Sequence, residues 1–215
     1  MKKKRFMVKT IVTGHYRENC HLLYGSESRE CFVIDPGSEE NIIWNEIIEN
    51  KLSIKAVLAT HAHFDHIGAV DFLRNQTQAP FYLHAAEDSI LQKASFYSQL
   101  FQGTSLVVPT VDCFLNPKTE LSLEDSPLQV LETPGHTPGG VSFYIESILF
   151  SGDVWFQGKF GQNDFPGSDA QKLSDSLEKK LMILPDETLV YPGHGKTTTI
   201  GAERKRILSG GEALQ

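Results

Sequence analysis

The sequence has little cysteine, no excess of positive charge and no long apolar run, and each of these features disfavours a class of protein. Its 3 cysteines form no Cys-x-x-Cys pair, so neither a disulfide framework nor a zinc ribbon is indicated. The formal net charge of -7 disfavours a nucleic-acid partner, which needs a basic face. The start, MKKKRFMVKTIV, is basic, but Lys9 interrupts its apolar residues, so a secretory signal is not indicated. We expect a cytoplasmic protein with reduced thiols and no membrane partner.

The order of apolar and turn-forming residues predicts alternating strands and helices. A chain of 215 residues can form one large domain or two small ones. Alternation and turn signals predict a strand meander followed by a β-α-β unit, in which Ser38 caps a helix that ends near Asn50. Residues 85–101 are expected to be partly helical and to cover part of the molecule, and 170–184 to form an amphipathic helix. The predicted strands are 6–12, 20–24, 31–34, 54–59, 80–83, 128–131, 141–145, 148–150 and 188–191.

The stretch THAHFDHIG, residues 60–68, follows the apolar strand 54–59 directly. It contains His61, His63, Asp65 and His66, which are residue types that bind divalent metals. In an extended segment His61 and His63 leave the chain on the same side, whereas Asp65 and His66 lie where the next element begins. A pattern of this kind should occur by chance in roughly 5 × 10⁻⁴ of chains with this composition. The stretch therefore predicts two adjacent metal positions.

Three further strand ends carry residues of the same chemistry. His136 lies in TPGHTPGG, Asp153 in SGDVWF and His194 in YPGHG. Strand ends that meet at one sheet edge are where α/β proteins build their sites, so these residues can converge with the histidine stretch. Imidazole and carboxylate donors without thiolate suit zinc, iron or manganese, and a catalytic site keeps one position open for water. The remaining histidines have no partner spacing and are expected at the surface or lining a pocket: His15, His21 and His84.

These four motifs, together with Asp35-Pro36-Gly37, resemble those of the metallo-β-lactamase-fold hydrolases. Within that group the chain is similar to the single-domain enzymes of the glyoxalase II-like (hydroxyacylglutathione hydrolase-like) type. The resemblance implies an α/β fold with four layers, an αββα sandwich of two similar halves. It also implies one domain over residues 1–215, without the additional carboxyl-terminal glutathione-binding domain of the longer enzymes.

The resemblance further implies a ligand set for two divalent metal ions, zinc in the first place and iron or manganese as alternatives. Asp35 is expected to support the ligands or to be a plain turn residue, and Asp65 and Asp153 are the expected catalytic carboxylates. One metal is bound by His61, His63 and His136, the second by Asp65, His66 and His194, and Asp153 bridges the two.

The expected reaction is hydrolysis of a small-molecule thioester or activated ester by a hydroxide held between the metals. Two metal ions lower the pKa of a bound water towards about 7 and polarise the carbonyl group. A thiol with a pKa of about 8.5 leaves readily as thiolate, whereas an amide nitrogen must be protonated. A thioester such as a glutathione conjugate is therefore favoured over an amide.

One departure from the family pattern bears on the substrate. Gln162 stands where the similar enzymes usually have arginine, so an anionic group loses a bidentate partner there. Lys159 and Lys196 are candidates to compensate, which makes Lys159, Gln162 and Lys196 the expected substrate-binding residues.

Other functions stay open at this stage. A persulfide dioxygenase of the same superfamily uses one iron, here held by His61, His136 and Asp153. Lactonase, β-lactamase and nuclease activities have weaker support, and so does a non-catalytic metal-binding protein. No pattern predicts the oligomeric state.

Overall fold

Two six-stranded β-sheets organise the residues that the computed structural model describes, 5–161 and 165–209. The first sheet runs antiparallel from β1 to β3 and parallel from β3 to β6. Its strands, in spatial order, are β1 (Phe6–Thr13), β2 (Glu18–Gly25), β3 (Glu30–Ile34), β4 (Ser53–Leu58), β5 (Phe81–His84) and β6 (Cys113–Leu115).

The second sheet has the spatial order β14-β13-β10-β9-β8-β7. Its strands are β7 (Leu121–Leu123), β8 (Ser126–Glu132), β9 (Val141–Ile145), β10 (Ile148–Gly152), β13 (Leu189–Pro192) and β14 (Thr198–Thr199). Strands β10 and β13 are parallel neighbours, so their carboxyl ends lie at the same edge of the sheet. A short hairpin of β11 (Trp155–Phe156) and β12 (Lys159–Phe160) follows β10.

Helices connect and cover the sheets. They are α1 (Glu40–Glu49), α2 (Phe64–Ile67), α3 (Val70–Thr77), α4 (Asp88–Leu91), α5 (Ala94–Gln102), α6 (Ala170–Ser176) and α7 (Ile200–Leu208). A 3₁₀ turn, Ala85–Glu87, precedes α4, and a π-helical turn, Leu177–Leu181, extends α6. None of the described helices has the length and apolar character that a membrane crossing needs.

Both faces of the central strands are buried, and this fixes the four layers. Successive side chains of a strand point to opposite faces. Val33 of β3 therefore belongs to the apolar cluster beneath α1 and α3, whereas Phe32 belongs to the cluster between the two sheets. In the second sheet Phe150 faces the first sheet and Leu149 packs with Leu177 of the π-helical turn. The αββα sandwich expected from the sequence is confirmed.

The start of α1 differs from the prediction. Ser38 does not cap the helix; the capping position is Glu39, whose backbone is left-handed with φ 57° and whose side chain makes no capping hydrogen bond. The N–H of Ser38 instead donates to the carboxylate of Glu18 over 3.1 Å, and Glu39 accepts from the N–H of Gly14 over 2.9 Å. The N–H of Ser38 and the carboxylate of Glu39 thus bind residues at the two ends of the loop between β1 and β2. A local capping pattern does not reveal partners that are so distant in the sequence.

Two predicted helical segments are more divided than expected. Residues 85–101 contain a 3₁₀ turn and two α-helices, so partial helicity is confirmed. In 170–184 the α-helix ends at Ser176 and continues as a π-helical turn, which keeps Leu173, Leu177 and Leu181 buried against the second sheet.

Candidate metal centre

Seven side chains named from the sequence lie together at one edge of the sandwich. The segment after β4 enters α2, and the loops after β8, β10 and β13 bring the other members to the same place. These side chains are His61, His63, Asp65, His66, His136, Asp153 and His194.

The first group of possible metal donors consists of three histidines. One ring nitrogen of each of His61, His63 and His136 lies within 4.8 Å of the others. Nδ1 of His63 is 3.1 Å from Nε2 of His136, although 73 residues separate them in the chain. Two loops therefore have to be held in register to form this group.

The second group is Asp65, His66 and His194. Nε2 of His66 is 3.2 Å from Nε2 of His194, and Oδ2 of Asp65 lies 3.4 Å from the same nitrogen of His194. Asp65 and His66 are neighbours in the short helix α2, so one turn supplies two donors.

Asp153 lies between the two groups. Its Oδ1 is 3.6 Å from Nε2 of His66, and its Oδ2 is 3.7 Å from Nε2 of His136 and 3.5 Å from Nε2 of His194. Gly193 allows this approach, since a Cβ at that position would collide with Oδ1 of Asp153. The YPGHG motif therefore needs glycine at position 193, because any side chain there would displace the Asp153 carboxylate.

The two groups differ in their proton affinity. Burial, assisted by the neighbouring histidines, lowers the pKa of His61, and it lowers the pKa of His63 to about 4. Burial also disfavours charge on His66, but the carboxylates of Asp153 and Asp65 outweigh it and raise the pKa of His66 well above its usual value. The pKa of Asp153 is well below its usual value, because the charge of His66 outweighs the effect of burial. His61 and His63 therefore offer neutral imidazoles, whereas His66 and Asp153 form a buried ion pair.

The donor set fits divalent cations. Nε2 of His61 and Oδ1 of Asp153 are buried and make no hydrogen bond within the described residues. A buried polar atom without a partner costs about 1 to 3 kcal/mol, and such atoms are rare in folded proteins. A cation among these nitrogens and oxygens would satisfy both atoms, and imidazole with carboxylate is the donor chemistry of zinc, iron and manganese.

Asp35 and Thr60 orient the histidines from behind. Both the N–H and the hydroxyl of Thr60 donate to the carboxylate of Asp35 over 2.7 Å. Because that hydroxyl proton is used, Oγ1 of Thr60 accepts from Nδ1–H of His61 over 3.0 Å, which leaves Nε2 of His61 with a free lone pair. Oδ2 of Asp35 also lies 3.3 Å from Nδ1 of His66. Asp35, His61 and His66 lie close enough to form a third possible donor group, but the carboxylate of Asp35 is already occupied by Thr60.

His194 is oriented in a similar way. Its Nδ1 lies 3.0 Å from the carbonyl oxygen of Tyr16, which can only accept, so Nδ1 carries the proton and Nε2 is left as a donor atom for a metal. The carbonyl belongs to the loop between β1 and β2, a contact that the sequence does not indicate.

The sequence predicts His21 at the surface or lining a pocket, and this prediction is wrong. His21 is buried between the two sheets. Its Nε2 donates to the carbonyl of Pro192 over 3.0 Å, and its Nδ1 accepts from the hydroxyl of Thr10 over 3.0 Å. Burial lowers the pKa of His21 to about 4. The side chain thus fastens the end of β13, two residues before His194, to the first sheet.

A cavity of about 640 Å³ opens over the two groups. One wall is aromatic: the rings of Phe64 and Phe101 are 6.3 Å apart, and Tyr16 and Tyr97 lie beside them. Lys93 contributes a cation from the turn between α4 and α5. The segment 85–101 is therefore a wall of this cavity.

The three expected substrate-binding residues differ in position. Lys159 lines the cavity, with its ammonium group 5.2 Å from the centre of the Phe156 ring. Lys196 is exposed and is not found among the described residues that line the cavity, so its role stays a prediction. Gln162 lies outside the described residues.

The chain is similar to known proteins over most of its length. The family model described as Metallo-beta-lactamase superfamily matches residues 13–194. The probable metallo-hydrolase YqgX of Bacillus subtilis is 38% identical over 194 residues, 89% of this chain and 91% of that protein. Hydroxyacylglutathione hydrolase GloC of Haemophilus influenzae is 34% identical over 206 residues, 92% and 95% of the two chains.

Solved structures share the fold over nearly the whole chain. The BLEG-1 B3 metallo-beta-lactamase has a TM-score of 0.86 at 38% identity, and 93% of this chain and 97% of that one are covered. TTHA1623 in a di-iron-bound form has a TM-score of 0.82 at 37% identity, with 92% and 98% covered.

Proposed function

Because this chain belongs to the metallo-beta-lactamase superfamily and is a metal-dependent hydrolase, we propose that it is a dinuclear thioesterase whose substrates are S-2-hydroxyacylglutathione-like compounds. The observation that carries the proposal is the position of Asp153, whose two oxygens lie within 3.7 Å of ring nitrogens from both donor groups.

In this proposal His61, His63 and His136 would hold the first metal, Asp65, His66 and His194 would hold the second, and Asp153 would serve both. When bound, two divalent cations supply a water of lowered pKa and polarise the carbonyl group under attack. Zinc suits these donors, while iron stays open because the similar protein TTHA1623 is described in a di-iron-bound form.

The chain's own residues orient the histidines of the donor set. None of them has to protonate the leaving group. Thr60 and the carbonyl of Tyr16 fix the tautomers of His61 and His194. A thiolate leaves without being protonated, so no general acid is needed beyond the donor set. This requirement favours a thioester over an amide.

The cavity supports a substrate with both an apolar part and an anionic part. The aromatic wall can pack against an acyl chain or the methylene groups of a thiol carrier, whereas Lys93 and Lys159 offer positive charge in a protein whose net charge is -7. Glutathione conjugates carry carboxylates and match this pattern. The name of the relative GloC supports the same class of substrate.

The proposal is tested by metal analysis together with a substrate panel. The panel contains S-lactoylglutathione, a neutral N-acetylcysteamine thioester, an acyl-homoserine lactone, a cephalosporin and, with an oxygen electrode, glutathione persulfide. We expect two metals per chain, thioester hydrolysis, and a lower KM for the anionic thioester than for the neutral one. One iron per chain with oxygen uptake on the persulfide contradicts the proposal in favour of a dioxygenase, and turnover of only the lactone or cephalosporin contradicts the thioester assignment.

A further inference from the structure

Glu87 is a fully buried carboxylate that lies between the two loops of the first donor group. It comes from the 3₁₀ turn after β5, in the segment whose role the sequence leaves open. Its Oε2 accepts the N–H of Ala62 over 2.8 Å, and its Oε1 accepts the N–H of Gly139 over 2.7 Å. Ala62 lies between His61 and His63, and Gly139 is three residues after His136.

The loops also pack closely against the turn that carries Glu87. A Cβ at Gly139 would lie 2.7 Å from Nδ1 of His84 and 3.0 Å from the backbone nitrogen of Glu87, so this glycine allows a close approach of the two backbones. Nδ1 of His84 is itself occupied, since it accepts from the N–H of Ala86 over 3.2 Å. The backbone of this turn therefore packs directly against the loop that contains Gly139, and the Glu87 carboxylate reaches from the turn to both loops.

Such an arrangement needs a reason, because a buried carboxylate is stable only when it is well hydrogen-bonded. Hydrogen bonds to a charged acceptor are roughly twice as strong as those between neutral groups. Two backbone N–H groups, those of Ala62 and Gly139, which are 77 positions apart in the chain, meet on the two oxygens of one side chain. No single hydroxyl or amide side chain offers two equivalent acceptor atoms at this spacing.

We propose that Glu87 is a positioning residue that holds the loops 60–66 and 133–140 in register, so that the nitrogens of His61, His63 and His136 converge on one metal. Glu87 is not among the described residues that line the cavity, and it acts without touching the substrate. The inference rests on the proposed metal centre for its functional consequence. The clamp itself, by which we mean the two hydrogen bonds from the N–H groups of Ala62 and Gly139 to Glu87, is a property of the metal-free chain.

Replacement of Glu87 by glutamine distinguishes the effect of the two hydrogen bonds from the effect of side-chain packing. In Glu87→Gln the side chain keeps its size, but one carboxylate oxygen becomes an NH₂ group, so one of the two backbone N–H groups faces a donor. Residues that orient metal ligands from behind typically contribute 10- to 100-fold to metal affinity. We expect the affinity of the first metal position to fall by that factor, while the second position, formed by Asp65, His66 and His194, changes less than about 3-fold.

Glu203 provides a matched control. Its carboxylate is also buried, and it accepts the N–H of Gly158 over 3.0 Å, the hydroxyl of Thr198 over 2.7 Å and the Nε–H of Arg206 over 3.1 Å, away from the loops 60–66 and 133–140. Glu203→Gln should therefore change overall stability without a selective loss at the first metal position.

The experiment measures two quantities on wild type, Glu87→Gln and Glu203→Gln. Hydrogen exchange of the Ala62 and Gly139 amides is followed by NMR in the metal-free protein, and zinc dissociation constants are obtained by competition with a chelator. Faster exchange at these two amides with a selective loss at the first position, in Glu87→Gln alone, supports the inference. Unchanged exchange, or an equal loss in Glu203→Gln, overturns it.

Two further outcomes are also decisive. If wild type binds no zinc, the proposed metal centre fails, but the exchange rates still decide whether Glu87 clamps the loops. If Glu87→Gln does not fold, Glu87→Asp, whose carboxylate is one methylene shorter, is read by the same two measurements.

Discussion

The buried histidine His21 should make the protein sensitive to acid. It joins Thr10 of the first sheet to Pro192 of the second, and its pKa is lowered from 6.5 to about 4 by burial. Between these two pH values the unfolded chain takes up a proton on this residue and the folded chain does not. The contribution to the free energy of unfolding is thus fully present above pH 6.5 and falls as the pH decreases towards 4.

The size of the effect follows from the shift. The lowering of the His21 pKa from 6.5 to about 4 corresponds to about 3 kcal/mol when the pH is below both values. At pH 5 the expected loss is about 2 kcal/mol relative to pH 7.5. His63 titrates in the same range when no metal is bound. The effect of His21 must therefore be isolated by comparison with a variant.

The test compares wild type with His21→Gln, whose amide can still donate to Pro192 but does not titrate. Urea unfolding of the metal-free proteins is followed by circular dichroism at pH 7.5 and pH 5, and the difference in free energy of unfolding is taken at each pH. The advantage of wild type should shrink by about 2 kcal/mol at the lower pH. A difference that stays constant would show that His21 is not a buried neutral residue.

The metal centre leads to three further predictions. Asp65→Ala should deplete the second metal more than the first, as measured by chelator titration, and equal retention of both metals would refute its role as a ligand. Asp153→Ala should reduce turnover by several orders of magnitude with a largely unchanged circular dichroism spectrum, whereas full activity with both metals would contradict the bridging assignment. Gln162→Arg should raise kcat/KM with S-lactoylglutathione mainly through KM, and unchanged kinetics would mean that this residue does not contact the substrate.

The strand ends of the fold could be predicted from the sequence because each carries its own signal. An apolar run followed by THAHFDHIG or by a glycine-flanked histidine marks both a strand and its chemistry, and strand ends converge by a general rule of α/β folds. The structure accordingly brings Nε2 of His66 to 3.2 Å from Nε2 of His194, although 128 positions separate the two residues. What a local pattern cannot specify is the pairing of β10 with β13, which depends on contacts between distant segments.

The supporting residues could not be predicted, because their partners are backbone groups of distant loops. Glu87 stands in a helix-like stretch with the appearance of a surface glutamate, and only the fold brings Ala62 and Gly139 to it. His21 has no metal-type neighbour in the sequence, and its carbonyl partner lies 171 residues away. The cap predicted at Ser38 is wrong for a similar reason: the capping position is Glu39, whose carboxylate accepts from the distant N–H of Gly14 instead of capping the helix.

The most direct test of the central proposal is a metal titration of the metal-free enzyme with S-lactoylglutathione as substrate. Zinc is added in steps while glutathione release and bound metal are measured together at neutral pH. We expect no turnover without metal and a rise that ends at two equivalents per chain, with reversal by chelator. Thioester hydrolysis at full rate in the metal-free protein, or none at two equivalents, would contradict the account.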